Sequence, residues 1–436
     1  MSNFFLFKKL REKSSLFEKM NYLQLSSGLY EYKKVKISNA IITFSKFYFK
    51  QFFKTIFTSS SKTYQLPDCK TGFVFLLGTL NHQMVFNELK NDISFQYDIW
   101  NIQSNSEEMK YFHQYKYDHD FYYLSLLFLI DLRYIFTKKR RIFHIERKEL
   151  YKSLISYRNY KKLINIASPK TIVLFNDHQF SYTSLLYAAK EKNITTVYIP
   201  HASISQYFPP LVFDIAFLEG KEMLDTYNKI SPSFTEKIVV GNIKLDSFRR
   251  RGLKNENKNR KSIAFALNTL DNIDLVKNWI LQIKKELSKY NFEFIFRQHP
   301  SMKKIEIDGL KFSDSKTEDS LTFLSNIDIL ITGSSNIILE ARLLNKKVYN
   351  CIWFNNMPNA EDNYGFIKNG LLNKSYYDCD SLIIDLKAFL DDGAIEVISQ
   401  EYKQLLHNYD HSYLNSTGDS VAININKKLN EINNIH

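Results

Sequence analysis

The stretch IDILITGSSNIILEARLLNKKVYNCI, residues 327–352, reads as a strand, a turn, a helix and a second strand. Ile327 to Ile331 is a short β-branched run, too brief for a buried helix. Thr332-Gly333-Ser334-Ser335-Asn336 breaks that pattern with small polar residues, the kind that turn a chain and cap a helix. Helical spacing follows from Ile337 to Leu344, and Lys347 to Ile352 restores a strand. A helix between two strands is the crossover that parallel pairing requires.

Working upstream, the same rhythm occupies Ser262 to Leu267 (strand), Ile273 to Tyr290 (helix), Glu293 to Phe296 (strand) and the vicinity of Thr317 to Ser325 (helix). This half is predicted to be a Rossmann-like unit. Helices are expected to close the chain at Leu382 to Leu390, Ser399 to Leu406 and Ser420 to Ile432. Before the unit, Arg249 to Lys261 carries almost no apolar side chain and reads as an interdomain linker. Earlier still, strands are predicted at Phe73 to Leu77, Thr171 to Phe175, Thr195 to Ile199, Phe213 to Phe217 and Ile238 to Val240. The helical stretch Tyr182 to Lys190 makes the second and third of these a βαβ unit. Residues 105–165 read as mostly helical and basic, including Lys138-Lys139-Arg140-Arg141. The expected organisation is a basic, aromatic-rich helical segment (1–66), a first Rossmann-like α/β domain (67–250), a linker (251–261), a second such domain (262–415) and a C-terminal helix (416–436).

A chain of 436 residues is long enough for two domains with real cores. Its 35 Phe and 28 Tyr against 12 Gly and 8 Pro argue against disorder. Cys69, Cys351 and Cys379 are few, odd in number and without metal-ligand spacing, so neither a disulfide framework nor a zinc site is expected. The apolar run Phe4 to Phe7 is too short for a secretory leader. Phe121 to Ile130 falls well short of the roughly 20 residues of a membrane span. The expectation is a cytoplasmic protein. The formal charge of +13 is scattered and accompanied by no nucleic-acid module, so nucleic acid is not an expected partner. Between Lys33 and Lys62, apolar and aromatic positions recur at helical spacing while Lys46, Lys50 and Lys54 lie four apart. Such a helix could rest on an anionic inner-membrane surface, each basic residue adding about 1 kcal/mol; a core-packed helix with a solvated basic face explains the pattern as well.

Ligands of open parallel sheets sit at the carboxyl ends of strands, which singles out four places. Arg297-Gln298-His299-Pro300 follows a strand, where Pro300 stops the strand, His299 offers an imidazole and Arg297 a charge to a phosphate. Gly333, Ser334, Ser335 and Asn336 follow another, with hydroxyls and helix-start N–H groups suited to an anion, although helix capping is the plainer reading. Gly241-Asn242-Ile243-Lys244-Leu245-Asp246 stands just before the linker. In the first domain, Asn176-Asp177-His178 and Pro200-His201-Ala202-Ser203 end consecutive strands. Two weaker features are Glu361 and Glu340, either of which could accept hydrogen bonds from ribose hydroxyls, and Gly78 to His82, which could line an acceptor site or simply start a helix.

The His-Pro and Ser-Ser elements resemble the nucleotide-binding signatures of bacterial sialyltransferases and polysialyltransferases, of Kdo transferases and of CDP-glycerol glycerophosphotransferases. The Gly-Asn-x-Lys-x-Asp turn is similar to that of Kdo transferases. This likeness covers mainly residues 170–350 and implies a GT-B fold, two Rossmann-like domains facing across a cleft. It implies that His299, Ser334 and Ser335 hold the phosphate of a cytidine nucleotide, with no metal and no further cofactor. The expected reaction is transfer of a sialic acid, Kdo or another ulosonic acid from a CMP-sugar donor to a bacterial surface glycan or glycolipid acceptor. Asp177 is the first candidate for the general base and His201 the second, although Asn-Asp-His departs from the acidic pattern of the sialyltransferases. Rival expectations are a CDP-glycerol-type polyol phosphotransferase, a UDP-sugar 2-epimerase, a non-catalytic scaffold of polysaccharide assembly and a basic nucleic-acid binder.

Overall fold

A computed structural model describes residues 42, 45–50, 53, 71–101, 128, 147–230, 233–251, 261–300, 302, 305–354, 361–393, 398–414 and 420–435. Nearly all of the basic segment 1–66, the cluster Lys138–Arg141 and the interior of the linker lie outside the described residues.

The first domain comprises β1 (Phe73–Leu77), α1 (Leu80–Lys90), β2 (Asp98–Asn101), α2 (Arg147–Ala167), β3 (Thr171–Leu174), α3 (Phe180–Lys190), β4 (Thr195–Tyr198), β5 (Ile215–Leu218), α4 (Lys221–Ile230) and β6 (Glu236–Val239). Its six described strands run parallel in the order β2-β1-β3-β4-β5-β6. A 3-10 turn (Ile243–Leu245) and α5 (Asp246–Arg251) lead to the second domain. There follow β7 (Lys261–Ala266), α6 (Ile273–Glu286), β8 (Phe292–Arg297), β9 (Lys311–Ser313), α7 (Ser320–Ser325), β10 (Ile329–Thr332), α8 (Ile337–Leu343), β11 (Lys347–Cys351) and β12 (Ser375–Tyr376). That sheet is also parallel, in the order β12-β11-β10-β7-β8-β9. Helices α9 (Cys379–Asp391), α10 (Gln400–Tyr409) and α11 (Val421–Ile435) end the described chain.

Central strands such as β1, β3 and β10 are buried at every residue, which is why they read as unbroken apolar runs. Each sheet carries a core on both faces. Helix starts follow local chemistry: Asn272, Asp319 and Asp378 each accept backbone N–H groups of the first turn of α6, α7 and α9. The last helix returns to the first domain, where Val421, Ile425, Leu429 and Ile432 join a core with Phe73, Phe75 and Phe217. Asp246 fastens its start by accepting from Ser420 Oγ at 2.7 Å and from the Ala422 N–H at 2.8 Å. Among the described residues, no helix is long and apolar enough to cross a membrane.

Candidate functional site

Between the two domains lies a cleft of about 680 Å³, lined from one side by the start of α1, His178 and His201–Ser203 and from the other by the loops after β7, β8, β9 and β10. Both walls are carboxyl ends of strands, the place where open parallel sheets present their loops.

On the second domain's wall stand His299, Pro300, Ser334, Ser335, Asn336 and Glu340. Burial lowers the pKa of His299, so its imidazole is neutral near pH 7 and can donate one N–H. Arg297 also faces the cleft, but its guanidinium donates to Ser313 Oγ and to the Glu318 carbonyl, both at 2.7 Å, and rests on the Phe323 ring. It braces the loop after β9 rather than offering its charge outright. Gly333 does not line the cleft. A Cβ there would meet Asp271 Oδ1 at 2.4 Å and Asn268 Nδ2 at 3.1 Å, so the glycine lets the loop after β7 close on the Ser-Ser turn, with Asn268 donating to the Ser334 carbonyl at 2.9 Å. Helix α8 has only seven residues, and Asn336 makes no side-chain cap; its Oδ1 accepts the Ser203 N–H across the cleft at 2.8 Å. Glu361 does not line the cleft either: its carboxylate accepts the Tyr377 hydroxyl at 2.6 Å. Asn363, two residues on, takes the cleft position and receives the Ser205 hydroxyl.

The first domain's wall departs further from the sequence expectation. Asp177 is buried, with Oδ1 accepting from His178 Nδ1 at 2.8 Å and Oδ2 accepting the Tyr227 hydroxyl at 2.6 Å. It does not line the cleft; His178 does. The loop is set by Asn176, whose Oδ1 accepts the N–H groups of His178 at 3.1 Å and Gln179 at 2.8 Å, an Asx turn. A carboxylate that only accepts holds the imidazole with its proton on Nδ1, leaving the lone pair on Nε2. Sequence reasoning chose the carboxylate of Asn-Asp-His and overlooked the imidazole beside it, the adjacency being the signal available. His201 lines the cleft with Nδ1 donating to the Phe175 carbonyl. Burial, then repulsion from His178, lowers its pKa to about 4, so it is neutral. Its ring stands edge-on to that of His82 at 4.5 Å, and burial, followed by the field of His201, holds His82 neutral as well.

The Gly-Asn-x-Lys-x-Asp turn joins the domains. Gly241 has φ +113°, and a Cβ would meet Ser412 Oγ at 2.5 Å, so only glycine suits the position. The Asn242 N–H donates to Asp410 at 2.8 Å. Lys244 forms a buried ion pair with Glu340, the two side chains 2% and 6% exposed.

Neither a protein-family model nor a curated protein matches the sequence. Solved structures do. The UDP-GlcNAc 2-epimerase of Neisseria meningitidis bound to UDP-GlcNAc is similar over 82% of this chain and 99% of its own, at 14% identity and a TM-score of 0.51. S. aureus MnaA in complex with UDP is similar over 82% of this chain and 96% of its own, at 14% identity and a TM-score of 0.51. At such identities the likeness is one of fold. With two parallel six-stranded sheets facing across a cleft and the last helix returned to the first domain, the chain has the GT-B fold.

Proposed function

We propose that the protein is a nucleotide-sugar-dependent glycosyltransferase. The observation that carries this reading is His178 on one wall of the cleft, backed by the buried Asp177, opposite His299, Ser334 and Ser335 on the other. In the proposed reaction, His178 Nε2 takes the proton of an acceptor hydroxyl as that oxygen attacks the anomeric carbon. The bond from the anomeric carbon to the phosphate oxygen breaks, and the nucleotide leaves with the added negative charge. The neutral imidazole of His299 and the hydroxyls of Ser334 and Ser335 donate to those phosphate oxygens, stabilising charge as it grows. Asp177 holds His178 in the reactive tautomer. Glu340, four residues after Asn336 on the cleft side of α8, is the candidate for ribose hydroxyls. His201, neutral and bonded through Nδ1, helps shape the acceptor side. The motif resemblance supports a CMP-ulosonic acid as donor and a surface glycan or glycolipid as acceptor; the solved structures holding UDP or UDP-GlcNAc support a uridine nucleotide.

Those structures also support a second reading, a UDP-sugar 2-epimerase. Inverting a carbon centre requires a proton to leave one face and return to the other, hence two acid–base groups at one carbon. Among the described residues, the first domain's cleft wall supplies imidazoles and no carboxylate, and only His178 is backed by one, which suits transfer better. Calorimetric titration with CMP, CDP, UMP and UDP, on the wild type and on His299→Ala, identifies the nucleotide. With the matching donor, His178→Ala should lower turnover by about 10²–10⁴-fold at unchanged nucleotide affinity. Full turnover in His178→Ala, or C2 epimerisation of UDP-GlcNAc without acceptor, would overturn the transferase reading.

A further inference from the structure

The second domain has another cavity, of about 220 Å³, whose lining among the described residues includes Arg342, Lys347 and Lys374 and no acidic residue. We propose that it is a binding site for a small phosphate-class dianion, such as inorganic phosphate or pyrophosphate, distinct from the cleft. Its position is distinct because it takes Arg342 of α8 and Lys347 of β11, whereas the cleft takes Asn336, Ile337 and Glu340, and the two linings share no residue.

The cavity is built rather than incidental. Arg342 is 5% exposed, and its guanidinium is fixed on three sides: Nη1 donates to the Lys346 carbonyl at 2.9 Å, Nε to the Tyr402 hydroxyl at 2.5 Å, and the plane lies 4.7 Å from the centre of the Tyr402 ring. That hydroxyl in turn donates to the Leu371 carbonyl at 2.8 Å. A guanidinium held this way is set to meet an oxyanion with little loss of freedom. The Lys347 ammonium is held 4.9 Å from the centre of the Phe389 ring. Lys374 reaches Asp385 at 2.7 Å, and Asp385 also accepts the Tyr376 hydroxyl at 2.6 Å. Asp385 is therefore the competitor that a bound dianion displaces from Lys374. Ser399 lines the cavity as the N-cap of the ten-residue α10, so the positive end of that helix adds to the field of the three side chains. The volume of about 220 Å³ accommodates phosphate or pyrophosphate.

The test is calorimetric titration of the full-length protein with pyrophosphate and with phosphate. The His299→Ala/Ser335→Ala variant tests the cleft's share of the binding, and the lysine substitutions below report the cavity's share whether or not the transferase reading stands. That variant should still bind one pyrophosphate per chain. Adding Lys347→Gln and Lys374→Gln should weaken this binding by at least about tenfold, while Lys347→Arg alone should retain it. Both lysines sit at the rim, and far-ultraviolet dichroism checks that the glutamine variant is folded. No binding to the cleft variant, or equal affinity after the lysine substitutions, would overturn the proposal.

Discussion

Lys244→Met tests whether the two domains are held together by the buried ion pair. Its ammonium and the Glu340 carboxylate are almost wholly removed from solvent, and a third group, Glu219, is buried nearby. Burial raises the Glu219 pKa to about 8 against the pull of Lys244, while Asp410 and Glu340 push it the same way as burial. Removing one partner of a buried pair costs about 3–5 kcal/mol, because the other charge is left uncompensated. Lys244→Met leaves the Glu340 carboxylate uncompensated and removes the ammonium that opposes the burial of Glu219, so it should cost that much at pH 8 and less at pH 5.5, where Glu219 is fully protonated. At pH 8 Glu340→Gln should cost less than Lys244→Met, since the ammonium retains the partly ionised Glu219. The double variant should recover part of the loss, with a coupling of about 1–3 kcal/mol. Urea unfolding of the four proteins at both pH values measures each quantity. Additive single losses with a coupling below about 0.5 kcal/mol would refute the idea that the pair acts as a unit.

Two further outcomes follow from the same geometry. Gly333→Ala sets a methyl group 2.4 Å from Asp271 Oδ1, so overpacking should cost about 1–3 kcal/mol and weaken nucleotide binding in the titration above; unchanged stability and affinity would mean the loop after β7 yields freely. Glu219 has a folded pKa of about 8, above its ordinary value of 4.5, so its favourable contribution is complete below pH 4.5 and is lost as pH rises through 8. Glu219→Gln stays neutral throughout, so its melting temperature should gain on the wild type steadily from pH 5 to about pH 8 and then level off, and a constant difference would contradict this.

The central strands were legible because a parallel sheet covered on both faces writes itself as apolar runs: β1, β3, β7 and β10 fall where the sequence placed them. Strands β2, β9 and β12 were not. They are two to four residues long, mix charged or polar residues with apolar or aromatic ones, and all three end a sheet. Their pairing comes from the neighbouring strand rather than from their own pattern. The predicted strand Phe213 to Phe217 begins instead at Ile215, because Asp214 turns its carboxylate onto the Thr196 N–H and hydroxyl at 2.8 and 2.7 Å.

Strand ends also led to the cleft, since position along a βα unit determines which loop faces it; side-chain direction within a loop does not follow from position. Asp177 and His178 are neighbours in sequence, yet Tyr227, fifty residues away in sequence, draws the first inward and leaves the second on the cleft. Asn336 reads as a helix cap and instead bonds Ser203 of the other domain. Glu340 reads only as an acid in the helix that follows the Ser-Ser turn, and its carboxylate meets Lys244, ninety-six residues distant. In each case the deciding partner is remote in the chain, so local pattern could nominate the loop but only tertiary structure could choose the atom.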